Sequence, residues 1–98
     1  MAERRNRERT LIDERALILQ DGNICNVKLR DIAGSGVGAY VSRQFKPGEQ
    51  GLLFARLFNM EQAEELPIEV CWCMPDPMAE DAFHQYRIGL RLMGDLTI

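Results

Sequence analysis

Two clusters of residues carry side chains suited to binding chemistry. The first is Arg4-Arg5-Asn6-Arg7-Glu8-Arg9 and the second is Asp31-Ile32-Ala33-Gly34-Ser35-Gly36. Arginine offers a planar, always-charged fork that pairs with anionic oxygens and lays its flat face on rings. The second cluster joins a carboxylate to a glycine-rich turn. Glycine permits positive φ and lets a backbone come close to a ligand, and the N–H groups of such a turn can face an anion. The first cluster makes the N-terminus positive, whereas the chain as a whole carries a net charge of -3. A positive arm on an acidic body points to one small anionic partner rather than to a polyanion.

The elements that must position these clusters read as strands. Residues 1 to 10 have no apolar residue after Ala2 and are expected to be a flexible arm, with residues 11 to 98 forming one domain. Arg15 to Leu19 and Asn23 to Ile32 flank the turn signal Asp21-Gly22. Alternation slips between Ile24 and Val27, which predicts a bulge there. Gly34 to Gly38 predicts a tight turn, with Gly36 at the permissive position. Lys46-Pro47-Gly48 predicts another, before an apolar run from Gly51 to Phe58 suited to a buried strand. Asn59 to Glu65 reads as a loop or short helical turn. Further on, Ile68, Val70, Trp72 and Met74 share one face of a strand, with Glu69, Cys71 and Cys73 on the other. After a polar loop, Tyr86, Ile88, Leu90 and Leu92 share a face opposite Arg87 and Arg91. About six short strands and no long helix predict an all-β fold, a six-stranded antiparallel β-barrel.

Other chemistries find little support. The three cysteines do not form a disulfide framework, and Cys71, Cys73 and His84 lack zinc-site spacing. With one histidine and no nucleophile turn, the sequence predicts no enzyme, no metal and no cofactor. No apolar run suits a membrane span or a signal peptide, so a cytoplasmic location without membrane contact is expected.

The two clusters resemble the PilZ domain signature, an RxxxR arm followed by a [D/N]xSxxG turn. Arg5 and Arg9 match the first motif; Asp31 and Gly36 match the second, with Ala33 where serine is usual. Tyr86-Arg87-Ile88-Gly89-Leu90-Arg91-Leu92 is similar to the family's closing strand, so the resemblance spans residues 4 to 92. It implies a six-stranded barrel that binds cyclic di-GMP, a ligand with two phosphates and two guanines. Arg5 and Arg9 would then clamp phosphate and the guanine O6/N7 edge, Asp31 would accept from guanine N1–H and N2–H, and Gly36 would shape the floor. Ala33 would sit in the ligand contact with one hydrogen bond fewer, about 1 kcal/mol or roughly fivefold in affinity. Arg4 would bring in a second ligand molecule. Trp72, on the fifth strand, would either join the core or stack on a base.

The function implied is that of a receptor whose arm orders on binding and signals to an effector protein in motility, adhesion or biofilm pathways. Many family members have a C-terminal helix over the barrel; its absence here points toward a homodimer or a covering partner. Two alternatives stay open: a PilZ-like interaction module that has lost nucleotide binding, and nucleic-acid binding through the arm. The acidic body and few aromatics argue against the latter.

Overall fold

The computed structural model describes residues 9–57, 60–79, 81–82 and 84–94. Seven strands follow one another: β1 (Thr10–Leu11), β2 (Arg15–Gln20), β3 (Asn23–Ala33), β4 (Gly36–Val41), β5 (Gln50–Ala55), β6 (Glu64–Pro75) and β7 (Tyr86–Leu92). Among the described residues there is no helix, and so none long and apolar enough to cross a membrane. All pairings are antiparallel, in the order β3-β2-β5-β6-β7-β4, and β4 returns to β3. The closed barrel therefore has six strands, as expected, and closure leaves the barrel wall no free edge. β1 is an addition that continues the line of β2 along the same edge of β3, Thr10 pairing with Ile32 and Leu11 with Asp31. Thr10, which the sequence assigns to the arm, already belongs to this strand.

Turn chemistry sets the hairpins. Asp21 (φ 50°) and Gly22 (φ 80°) are both left-handed, the two-residue turn whose twist suits a hairpin. Between β3 and β4, Ala33 pairs with Gly36, so the loop is Gly34-Ser35. The left-handed residue there is Gly34 (φ 61°), not Gly36, which is extended at the start of β4.

The inward face of each strand builds the core: Ala16 and Ile18; Cys25, Val27, Leu29 and Ile32; Val37, Ala39 and Val41; Leu53 and Ala55; Leu66, Ile68 and Val70; Ile88, Leu90 and Leu92. Phe45 and Leu57 add to it from outside the strands. The expected slip between Ile24 and Val27 does not occur. Cys25, not Ile24, is the apolar residue that points inward; β3 runs in regular register against β2, and Ile24 is exposed. The run after Gly51 is not buried on both faces either: Leu53 and Ala55 face in, while Leu52 and Phe54 face out. Glu64 and Glu65, expected in a loop, open β6 opposite Ala55 and Phe54.

Two irregularities decide where function can sit. The β3–β4 register shifts between Leu29 and Asp31, and the β6–β7 register shifts between Val70 and Trp72. Each bulge inserts one residue, Arg30 or Cys71, and inverts the facing of the residues beyond it. Uninterrupted alternation from Val27 and Leu29 would put Asp31 in the core, and alternation from Ile68 and Val70 would put Trp72 there. The bulges turn both outward and send Ile32 and Cys73 in instead. Cys71 and Cys73 therefore do not share a face: Cys71 is exposed and Cys73 packs against the core.

Candidate ligand-binding site

The inverted residues fall on a single row. Asp31 pairs with Gly38, Gly38 with Gly89, and Gly89 with Trp72, across β3, β4, β7 and β6. Directly paired residues project to the same side, so a carboxylate and an indole flank two glycines on the outer wall. Four strands at about 4.8 Å spacing make the row roughly 14 Å wide.

Neither glycine is incidental, and neither was singled out from the sequence. A Cβ on Gly38 would lie 2.6 Å from Asp31 Oδ1. A Cβ on Gly89 would lie 2.2 Å from Trp72 Nε1, 2.5 Å from Cε2 and 2.9 Å from Cδ1. The Asp31 carboxylate and the five-membered ring of Trp72 thus lie down on bare backbone. Glycine inside an otherwise regular strand is the signal that marks such close approach. Trp72 is 38% exposed, so the indole keeps an open side rather than joining the core.

Asp31 is the one buried charged residue among the described residues, 5% exposed. Arg9 donates to Oδ1 from Nε (3.0 Å) and Nη2 (2.7 Å). Arg30, the bulge residue, donates from Nε to Oδ2 (3.0 Å). Three of about four acceptor positions on the carboxylate are filled. Burial opposes its charge, but the Arg9 hydrogen bond and the charges of Arg30 and Arg9 outweigh that, and Asp31 titrates below the usual carboxylate range. Burial also opposes the charge on Arg30, yet Tyr40 and Asp31 raise its pKa further. The Arg30 guanidinium carbon lies 5.9 Å from the Tyr40 ring centroid, within cation–π range.

Of the residues marked out by the sequence, Arg9, Asp31, Gly36, Ala33 and Trp72 all lie on or beside one outer face. Ala33 and Gly36 face each other one row beyond Asp31 and Gly38, and Gly36 pairs with Arg91. Arg4 and Arg5 lie outside the described residues. Arg30, Gly38 and Gly89 were missed. The fork of Arg9 spends two donors on Asp31, leaving others free toward solvent, where its side chain is 49% exposed.

A concavity elsewhere on the barrel is no competitor. It is an open depression of about 750 Å³ at the other end of β3, lined by Gln20, Asp21, Asn23, Ile24, Arg43, Glu49 and Gln50. Its polar groups satisfy one another: Gln20 Nε2 donates to Glu49 Oε1 (2.8 Å), and Arg43 Nη2 donates to Gln20 Oε1 (2.7 Å). Among the described residues no three His, Cys, Asp or Glu side chains could hold a metal ion. His84 pairs with Asp81 at 3.0 Å instead. Burial pushes the Cys73 thiol up, away from the reactive thiolate.

The family model described as PilZ domain matches residues 3–97, nearly the whole chain. The chain belongs to the PilZ domain family. No curated protein matches it. PilZ domains are cyclic di-GMP-binding modules, a receptor family rather than a catalytic one. In this PilZ domain the [D/N]xSxxG turn spans Asp31, Ala33 and Gly36, and the second arginine of RxxxR is Arg9.

Proposed function

We propose that this PilZ domain binds cyclic di-GMP on the outer barrel face, across the row from Asp31 to Trp72. The observation that carries the reading is the Arg9–Asp31 ion pair at 2.7 Å. It joins the arm motif to the turn motif on one patch, although 22 positions separate the two residues. Arg9 keeps Asp31 and offers its free donors to phosphate or to a guanine O6/N7 edge. Arg5 adds the second fork. Asp31 holds Arg9 and Arg30 in place; it reads a guanine edge itself only where Arg9 releases Oδ1. The Trp72 indole gives a base a flat surface to stack on. Ala33 leaves one hydrogen bond unmade.

β1 ties the root of the arm to the strand that carries Asp31. Ligand that engages Arg4 and Arg5 therefore orders the segment before Arg9 against the barrel. That ordered surface is what an effector protein in the cytoplasm reads.

Calorimetric titration with cyclic di-GMP tests the reading. Arg5→Ala and Arg9→Ala should each weaken binding by roughly ten- to hundredfold, the worth of a charge-assisted hydrogen bond. Ala33→Ser should tighten it about fivefold. If the wild-type chain gives no heat at high micromolar ligand, cyclic di-GMP is not its ligand and the interaction-module reading takes its place.

A further inference from the structure

Arg87 differs from the other cations of this face in carrying a buried donor that nothing meets among the described residues; Arg15, also without an ion pair there, is exposed at the far end of the same row. Lys28 pairs with Asp13 and Arg91 with Glu69. Arg9 and Arg30 share Asp31. Arg87 has no ion pair among the described residues, and its Nε is a buried donor with no acceptor. Such a donor is a standing cost that a bound acceptor removes.

Its position gives that acceptor a place. Arg87 lies two residues before Gly89 on β7 and hence on the same outer face, one row along. Tyr40 flanks it on β4 and Met74 on β6. This row borders the Asp31–Gly38–Gly89–Trp72 row throughout its length.

We propose that Arg87 is a further ligand-contacting residue, which receives a phosphate oxygen of the bound cyclic dinucleotide at its unpartnered guanidinium. The inference rests on the proposed cyclic di-GMP site. Neither signature motif includes this residue. The side chain is half-buried on the wall between the strands of Tyr40 and Met74, so the fork meets ligand without a large loss of side-chain freedom.

The test uses the whole chain and cyclic di-GMP. Arg87→Gln should weaken calorimetric binding roughly ten- to hundredfold. Arg43→Gln, which removes a positive charge at the barrel's other end, should change it by no more than about twofold. In wild-type protein labelled at arginine nitrogen, the Arg87 Nε–H resonance should move as ligand saturates. Arg87→Gln binding as tightly as wild type would overturn the inference while leaving the site assignment standing. Should that variant fold poorly, an Arg87 Nε–H signal unmoved at saturation would overturn it equally. A wild-type chain that binds no ligand would remove both.

Discussion

Asp31→Ala is expected to weaken cyclic di-GMP binding about a hundredfold or more, with a much smaller loss of fold stability. The asymmetry follows from what the carboxylate does. It is the common acceptor for Arg9 and Arg30, so its removal frees two forks at once and leaves two cations to repel each other. Truncating one member of a buried charged network costs about 3–5 kcal/mol where the partners stay buried. Here the partners do not: the side chains of Arg9 and Arg30 are 49% and 35% exposed and can turn to water. The stability loss should therefore be only about 1–2 kcal/mol, while affinity, which needs the forks in place, takes the larger effect.

The pH dependence has a definite sign. Asp31 has a lower pKa folded than unfolded. Its contribution to stability is complete above the unfolded value, about 3.9, and is lost as pH falls through the depressed folded value. Urea unfolding of wild type and Asp31→Ala should show a constant gap from neutral pH down to about 5, closing only below about 4. A gap that closes near pH 6 would assign the effect to another group.

The second large effect is expected from the two glycines. Gly38→Ala puts a methyl group 2.6 Å from Asp31 Oδ1, closer than contact allows. Asp31 must shift within its bonds to Arg9 and Arg30, so the variant should weaken binding in the same direction as Asp31→Ala with the carboxylate still present. The strain adds about 1–3 kcal/mol of destabilisation. Gly89→Ala acts at the other end of the row. Its methyl group would overlap the Trp72 indole, and the ring can escape only outward. Tryptophan emission should shift to the red, and binding should weaken by the worth of one stacked base, about 1–3 kcal/mol. Unchanged emission in Gly89→Ala would show that the indole does not rest on that glycine.

The barrel was legible because most strands obey a period of two. β7 is the clearest case: Ile88, Leu90 and Leu92 are all buried and Arg91 is exposed. The Asp21-Gly22 hairpin was legible because its residues are those that positive φ demands. The site was legible only in its motifs. Its geometry was not, because it depends on two bulges, and a bulge breaks the alternation that strand reading relies on. Read with unbroken period, Trp72 and Met74 belong with Ile68 and Val70; the inserted Cys71 puts them on the opposite face. The false slip at Ile24 has the reverse cause: Cys25 serves as an apolar core residue there, and counting only aliphatic side chains hides the alternation. Gly38 and Gly89 were passed over as turn and strand residues, since their purpose shows only when the row across four strands is assembled. Arg9 reaching Asp31 is a tertiary fact that no local pattern encodes.

Amide and indole NMR spectra recorded while cyclic di-GMP is added give the most direct measurement. The account predicts that the Gly38 and Gly89 amides and the Trp72 indole N–H move together and saturate at one ligand concentration. Resonances of Gln20, Asp21 and Arg43, at the barrel's other end, should stay still. Shifts confined to that distant depression, or a spectrum unchanged in saturating ligand, would contradict it.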